Sequence, residues 1–281
     1  MSDVAIIGAG ELGGAVAHLL ARRNIVRSLL LIDEAGRVAA GKALDIAQAG
    51  AVEGSATAVE GSTDLYGSGG AAVVVLTDRA GQRTEWQGEE ALALLKTLAQ
   101  ISPRAILLCA GASQRELIER CCAEFRVARE RLFGSAPEAM SAAACAVVAL
   151  ETNRSPNDVS LTVLGVPPSH MVIPWAEATI GGFSAIRLMT EPQRRRLSAR
   201  LPALWPPGPY ALAAAAVKAI EAMLGGSRRT STCFVAPDVS AGVRARAAAL
   251  PVRLGPGGIE EVIVPELSIL ERVALENAMS L

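Results

Sequence analysis

Three glycines near the start of the chain have the spacing of a phosphate-binding turn. They form Gly-x-Gly-x-x-Gly, directly after the apolar residues 4–7 and before an Ala/Leu-rich segment typical of a helix. Gly8 permits the tight turn, Gly10 lets the backbone approach a pyrophosphate, and Gly13 lets the helix pack closely on the strand. The N-terminus of that helix favours a phosphate through its free N–H groups and its dipole. The pattern therefore predicts that a dinucleotide contacts Gly8, Gly10, Glu11, Leu12 and Gly13.

An acidic residue completes this pattern. Asp33 follows the apolar residues 29–32 and stands twenty positions beyond Gly13. A carboxylate at this place accepts hydrogen bonds from a ribose 2′-OH and repels a 2′-phosphate, so it favours NAD over NADP. The alternative is a glycine-rich turn without a ligand. Because strand, glycines, helix and acid occur together, we interpret the turn as an NAD site.

The sequence contains two histidines that could transfer protons. His18 lies on the helix after the glycine turn, where we expect a packed or surface-facing side chain. His170 lies in a loop of the second half, and imidazoles exchange protons near neutral pH. Glu138 or Glu177 could orient it. The competing interpretation of His170 is a partly exposed loop residue without a catalytic role.

Other reactive side chains have weaker patterns. Arg79 and Arg83 could bind an anionic substrate, although loop arginines are more often solvated. The basic run 194–196 is interpreted as a solvated helix face. Cys121 and Cys122 have no neighbouring histidine and no metal-ligand spacing, which favours buried or half-buried thiols over a redox centre. The sequence predicts no metal site.

The bulk composition excludes several classes of protein. The chain has 281 residues and a net charge of −1, so no overall field attracts nucleic acid or an anionic membrane. Its apolar runs fall short of the ~20 residues that a membrane-spanning helix needs. The five cysteines are an odd, scattered set, which favours reduced thiols. A strand begins almost at once, which leaves no room for a signal peptide, so we expect a cytoplasmic protein.

Strands and helices alternate through the first half. Apolar strands are predicted at residues 71–76 and 105–109, and helices at 38–49, 89–99 and 115–125. This alternation predicts an α/β protein with a doubly wound parallel sheet. Residues 1–140 form the predicted dinucleotide-binding domain.

The second half has a mixed α+β texture. We predict that residues 141–281 form a separate domain of short strands and helices. Its predicted helices are 141–150, 197–204, 211–224 and 268–279, and its predicted strands are 159–166, 233–235, 251–254 and 261–264.

Several stretches resemble one family of enzymes along nearly the whole chain. Beside the glycine turn and Asp33, these are Gly-Lys-Ala-Leu-Asp-Ile at 41–46, Val-Leu-Gly at 163–165, Met-Val-Ile-Pro at 171–174 and Leu-Pro-Val-Arg-Leu-Gly-Pro-Gly-Gly-Ile-Glu-Glu-Val at 250–262. The chain resembles the L-lactate/malate dehydrogenase family. The resemblance implies an NAD-binding Rossmann domain, a mixed C-terminal domain and a homodimer or homotetramer, with residues 42–48 on the dimer face.

The catalytic residues of that family are missing from the matching positions. Its members pass a hydride to the nicotinamide while a histidine, oriented by an aspartate, takes the hydroxyl proton and arginines hold the substrate carboxylate. The expected Gly-His-Gly is Val166-Pro167-Pro168, and the expected Leu-Asp-x-x-Arg is replaced at 139–143 by Ala-Met-Ser-Ala-Ala. After residues 107–109 the expected Asn-Pro is also absent. The substrate loop is shortened, and Arg79 stands where the family has glycine.

These departures predict that the ordinary reaction is absent, and we assign no catalytic residue. Three hypotheses follow. The first is an NAD(H)-binding pseudoenzyme that acts as a sensor, a structural partner or a regulator of an active paralogue. The second is an NAD-dependent oxidoreductase acting on a different small carboxylate or hydroxy substrate, with His170 or an ordered water in the proton relay. The third, which the residues oppose, is an ordinary malate or lactate dehydrogenase.

Overall fold

A parallel sheet forms the first half of the chain. The computed structural model describes residues 2–81, 84–227, 229–238 and 246–280. Six strands pair in parallel in the order β3-β2-β1-β4-β5-β6, which confirms the predicted doubly wound α/β sheet. Their bounds are β1 Ser2–Ile7, β2 Val26–Ile32, β3 Ala58–Ser62, β4 Val73–Leu76, β5 Ile106–Cys109 and β6 Leu132–Gly134.

Five helices connect or follow these strands. They are α1 Glu11–Arg23, α2 Gly36–Glu53, α3 Gly88–Ile101, α4 Arg115–Phe125 and α5 Ala136–Thr152. Helix α1 buries Leu12, Val16 and Leu20 at the spacing of one helical face. It ends at Asn24, whose left-handed backbone places its N–H against a carbonyl of the last turn. Apolar burial and a sequence-encoded stop therefore define the helix that carries the glycine turn.

The second half extends the same sheet in the antiparallel sense. From β6 the order continues through β12, β13, β8 and β9, and β14 pairs with β13. A separate sheet has the order β11-β10-β7. The strands are β7 Val159–Ser160, β8 Leu164–Val166, β9 His170–Val172, β10 Thr179–Ile180, β11 Phe183–Ser184, β12 Thr230–Val235, β13 Ala248–Gly255 and β14 Gly258–Val262. The helices are α6 Ala185–Leu188, α7 Glu191–Arg200, α8 Pro209–Gly225 and α9 Ile269–Ser280.

Two predicted elements of the second half were wrong in detail. The single strand predicted over 159–166 is two strands in different sheets, because the N–H of Val163 bonds the Oγ of Ser141 at 3.0 Å instead of a strand partner. The helix predicted over 197–204 begins at Glu191. There Thr190 and Gln193 form a capping box, a signal present in the sequence.

The main core extends across both halves of the chain. It joins β1 and α1 to Val217 and Met223 of α8 and to Phe234 of β12. A smaller cluster around Met140, Val148 and Trp175 lies beneath the small sheet. The predicted boundary at residue 140 falls inside α5 and the sheet continues beyond it, so the two-domain division stays a prediction. Among the described residues, no helix combines the length and apolar character needed to cross a membrane.

Candidate functional site

A cleft of about 650 Å³ opens at the glycine turn. The turn follows β1, next to the end of β4, where the strand order of the sheet reverses. Open α/β sheets bind ligands at such a reversal, beyond the carboxyl ends of the strands. Gly10, Glu11 and Leu12 of the glycine turn line the cleft together with Lys42, Arg79, Glu85 and Leu212. The other predicted cofactor contacts, Gly8, Gly13 and Asp33, are buried outside this lining.

The glycines of the turn are required by the local geometry. Gly8 has φ +113°, a conformation that residues with a Cβ rarely adopt. A Cβ on Gly13 would lie 2.0 Å from the carbonyl oxygen of Gly8. Helix α1 therefore sits against the end of β1 as closely as the motif predicted.

The carboxylate of Asp78 lies against the N-terminus of α1. Its Oδ2 accepts the N–H of Leu12 at 3.1 Å and its Oδ1 accepts the N–H of Gly13 at 2.9 Å. A Cβ on Gly10 would lie 2.2 Å from the Cγ of Asp78. The group that closely approaches Gly10 in this structure is thus a carboxylate of the same chain. The role of Gly10 toward a pyrophosphate stays a prediction.

Asp33 reaches the same turn from the end of β2. Its Oδ2 accepts the N–H groups of Ala9 at 2.7 Å and Ala80 at 2.9 Å, and its Oδ1 accepts that of Ala35 at 2.9 Å. The residue is 7% exposed. Since a carboxylate offers roughly four acceptor positions, Oδ1 can still accept one hydroxyl. The sequence predicted the place of Asp33 but not its three backbone partners.

Residues 78–81 and Glu85, between β4 and α3, line the cleft. Asp78 and Glu85 form an isolated antiparallel bridge. Glu85 accepts the N–H of Ala112 at 2.8 Å and that of Ser113 at 2.6 Å. Neither Asp78 nor Glu85 was predicted from the sequence, although an acid two positions after a strand was the available signal for Asp78.

Of the two candidate arginines, Arg79 is engaged by protein groups and is not free to bind an anion in this arrangement. The guanidinium of Arg79 lies 3.7 Å from the centre of the Trp86 ring and pairs with Glu90. It lines the cleft, with its side chain 14% exposed. Arg83 lies outside the described residues. Lys42 also lines the cleft and donates to the carbonyl oxygen of Gly10.

The structure does not bring the predicted proton-transfer groups together. His170 is exposed in β9, and its imidazole has no hydrogen-bond or ion-pair partner within the described part of the chain. Glu138 pairs instead with Lys218 and accepts the N–H of Thr232, while Glu177 accepts the N–H of Glu266. Helix α1 holds His18 half-buried. Neither histidine lines the cleft.

The residues at the positions where the resemblance implies catalytic groups are apolar. Pro167, just after β8, is half-buried, and Met140 on α5 is fully buried in the smaller core cluster. Ala143, one turn further along α5, is half-buried. None of the three can exchange a proton or bind a carboxylate.

The cysteines are unsuited to nucleophilic chemistry. Burial raises the pKa of Cys121 to about 11 and that of Cys122 to about 12. Burial likewise raises the pKa of Cys109 and Cys233. A thiol in this range is protonated near neutral pH and reacts slowly. The described residues contain no cluster of three histidine, cysteine or acidic side chains arranged to hold a metal ion.

Comparison with known protein families identifies the first half of the chain. Residues 2–118 match the family described as lactate/malate dehydrogenase, NAD binding domain. The matched segment contains the glycine turn, Asp33 and Asp78. This match confirms NAD as the cofactor class.

Similarity to individual proteins extends over the whole chain. It is 28% identical to the malate dehydrogenase of Thermomicrobium roseum, covering 98% of this chain and 94% of that protein. It is 29% identical to that of Desulforudis audaxviator, covering 99% and 95%. The solved malate dehydrogenase of Salinibacter ruber superposes with a TM-score of 0.85 at 25% identity, covering 98% of this chain and 93% of that chain. A Cryptosporidium parvum lactate dehydrogenase solved with lactic acid and NAD shares the fold at TM-score 0.86 and 24% identity, covering 99% and 94%.

Proposed function

Because this chain belongs to the lactate/malate dehydrogenase family, we propose that it binds NAD(H) at the glycine turn without oxidising a 2-hydroxy acid. Its role is then that of a sensor or a regulator of an active paralogue. The observation that carries this proposal is the chemistry of the cleft. No histidine occurs among the described residues that line it.

The missing chemistry is proton transfer and carboxylate binding. NAD, when bound, supplies the hydride acceptor, so the protein must supply a proton acceptor and a cationic grip for the substrate. Among the described residues of the lining, the cations are Lys42 and Arg79, and both are engaged by protein groups. Neither proline nor methionine at the replaced positions accepts a proton. A bound 2-hydroxy acid would therefore meet no histidine to take its hydroxyl proton, and the cleft carboxylates Asp78 and Glu85 already accept backbone N–H groups.

The residues that remain suit the adenosine side of the cofactor. The backbone N–H groups of Leu12 and Gly13 already bind one anionic group, the carboxylate of Asp78. The N-terminus of α1 therefore binds anions, and we call these two donors the anion cradle. The free acceptor position of Asp33 Oδ1 can take a ribose hydroxyl. These contacts support binding in the absence of turnover.

A binding and activity pair of assays tests the proposal. We expect isothermal titration to detect NADH, and Asp33→Asn to weaken that binding at least tenfold. Asp158→Asn, at an exposed position just before β7, should leave it unchanged. We expect NADH absorbance to fall no faster with oxaloacetate, pyruvate or another 2-oxo acid than it does in the absence of the protein. An active malate dehydrogenase serves as the positive control. Reduction of oxaloacetate or pyruvate at ordinary dehydrogenase rates would show that the pseudoenzyme proposal is wrong.

Turnover of another small carboxylate or hydroxy compound would support the second hypothesis, an oxidoreductase with a remodelled site. His170→Ala then decides whether this imidazole takes part. From its exposure and lack of partners we expect the variant to keep any such activity.

Assembly into a homo-oligomer is also part of the proposal. Helix α2 carries Leu44 and Val52, which are 60% and 89% exposed. Apolar side chains so exposed on one helix favour contact with a second chain, which for a regulator is another copy or an active paralogue.

A further inference from the structure

We propose that Asp78 is a specificity-determining residue of the cofactor cleft, because its carboxylate occupies the anion cradle of α1 and must leave before a diphosphate can bind. The inference deepens the proposed function and rests on the cleft assigned there. It concerns the class of ligand that the cleft prefers: Asp78 acts against phosphate groups and not against an uncharged nucleoside.

The carboxylate of Asp78 occupies the position expected for the pyrophosphate of a dinucleotide. A dinucleotide pyrophosphate on this motif is expected at the N–H groups that open α1 and beside Gly10. Asp78 accepts the N–H groups of Leu12 and Gly13 at 3.1 and 2.9 Å. Its Cγ lies only 2.2 Å from where a Cβ on Gly10 would be. A phosphate cannot share these donors while the carboxylate is bound to them.

Hydrogen bonds of neighbouring residues hold Asp78 in this position. The N–H of Gly10 donates to the backbone oxygen of Asp78 at 3.0 Å, which ties this residue to the turn. Two positions on, the N–H of Ala80 donates to Asp33. Further along, Glu85 accepts the N–H groups of Ala112 and Ser113, which lie between β5 and α4. Asp78 itself is 8% exposed.

These contacts have a consequence for ligand choice. A diphosphate must displace one carboxylate from two backbone donors and then lie near that negative charge. Adenosine carries no charge, so its binding neither displaces the carboxylate of Asp78 nor brings two negative charges together. Asp78 therefore weakens binding of NADH and ADP and leaves binding of adenosine unaffected.

The test compares phosphate-bearing and phosphate-free probes on the full chain. Isothermal titration at pH 7.5 measures NADH, ADP and adenosine with the wild type, Asp78→Ala, Asp78→Asn and the control Asp158→Asn, at an exposed position just before β7. We expect Asp78→Ala to bind NADH and ADP at least tenfold more tightly than the wild type, a difference of 1.4 kcal/mol. Adenosine titrations of the two proteins should be indistinguishable, and Asp158→Asn should match the wild type. Should Asp78→Ala fail to fold, Asp78→Asn and Asp78→Ser, which keep a capping acceptor, provide the same comparison.

The outcomes separate this inference from the proposed function. Equal NADH affinity in wild type and variants overturns the role of Asp78 and leaves NAD(H) binding standing. Tighter ADP binding by the variants without any NADH binding supports the role of Asp78 and overturns NAD(H) binding. An equal gain for adenosine overturns the role, because the effect would not depend on phosphate. No binding of any probe by any variant overturns both.

Discussion

The carboxylate of Asp78 caps helix α1 by accepting the N–H of Gly13 at 2.9 Å, although 65 residues separate the two in sequence. The donors at the start of a helix lack partners within the helix itself. Here the chain supplies one from the loop after β4. The same contact stabilises the fold and occupies the place of a ligand's anion, so stability and diphosphate binding are expected to change in opposite directions.

Removing this cap should destabilise the protein. We expect Asp78→Ala to lower the free energy of unfolding by about 1 kcal/mol, the usual cost of losing an N-terminal cap. Asp78→Asn keeps an acceptor and should fall between this variant and the wild type. Urea denaturation monitored by circular dichroism measures the change. Asp158→Ala, at an exposed position just before β7, serves as control and should stay within about 0.5 kcal/mol of the wild type. An Asp78→Ala protein as stable as the wild type would contradict the capping role.

Asp33 should matter more to stability than its predicted ligand role implies. Asp33→Ala leaves the N–H groups of Ala9, Ala35 and Ala80 without their acceptor. Since an unsatisfied buried donor costs about 1–3 kcal/mol, we expect a loss of at least about 2 kcal/mol by urea denaturation. Asp33→Asn should lose less stability than Asp33→Ala, because the amide keeps one oxygen acceptor. A loss below about 0.5 kcal/mol, which is usual for surface substitutions, would show that these hydrogen bonds are dispensable.

The buried thiols should react slowly and with an unusual pH dependence. Burial raises the pKa of Cys121 to about 11 and that of Cys122 to about 12, so their thiolate fraction should keep rising by about tenfold per pH unit between pH 7 and 9. The half-buried Cys145 should react first with a chromogenic disulfide reagent under native conditions. Cys145→Ser should remove that fast phase. A fast phase of two or more thiols per chain would contradict the burial seen here.

Asp3 should contribute a pH-dependent increment of stability. A hydrogen bond from Ser28 and the neighbouring Arg27 lower the pKa of Asp3. A carboxyl whose pKa is lower in the folded state binds fewer protons there, so its contribution is present above the unfolded pKa and is lost as the pH falls through the folded pKa. We expect Asp3→Asn to cost no more than about 0.5 kcal/mol at pH 7, because the pair is exposed and screened by solvent. In urea denaturation at several pH values, the difference from wild type should shrink below about pH 4. A difference that grows on acidification would have the wrong sign.

The exposed apolar face of α2 should hold the proposed homo-oligomer together. Leu44→Asp places a charge in that face and should shift the mass measured by light scattering during gel filtration toward the monomer. Leu150→Asp is the matched control, because Leu150 is 83% exposed on α5, outside the face predicted from the resemblance. Dissociation by the control alone would place the interface elsewhere.

Local patterns predicted most of the first half of the fold. The periodicity of residues 115–125 predicted helix α4 with its observed bounds, and apolar runs predicted β1, β2, β4 and β5. Short strands such as β3 and β6 were missed, because β3 contains no run of apolar residues and β6 has only three residues. Residues 159–166 were predicted as one strand because the contact that divides them, from Val163 to Ser141, is not encoded in a local pattern.

The sequence by itself determined the turn between β1 and α1, the closeness of Gly8 and Gly13, and the absence of catalytic groups from their matching positions. These depend on residue identity and on neighbours a few positions away. Only the tertiary structure decided what the carboxylates contact, because parallel pairing brings the ends of β1, β2 and β4 to one edge of the sheet. Asp33 and Asp78 thereby meet backbone N–H groups 24 and 65 residues away. Hydrogen-bond partners so distant in the chain are set by strand order and register, which no local pattern encodes.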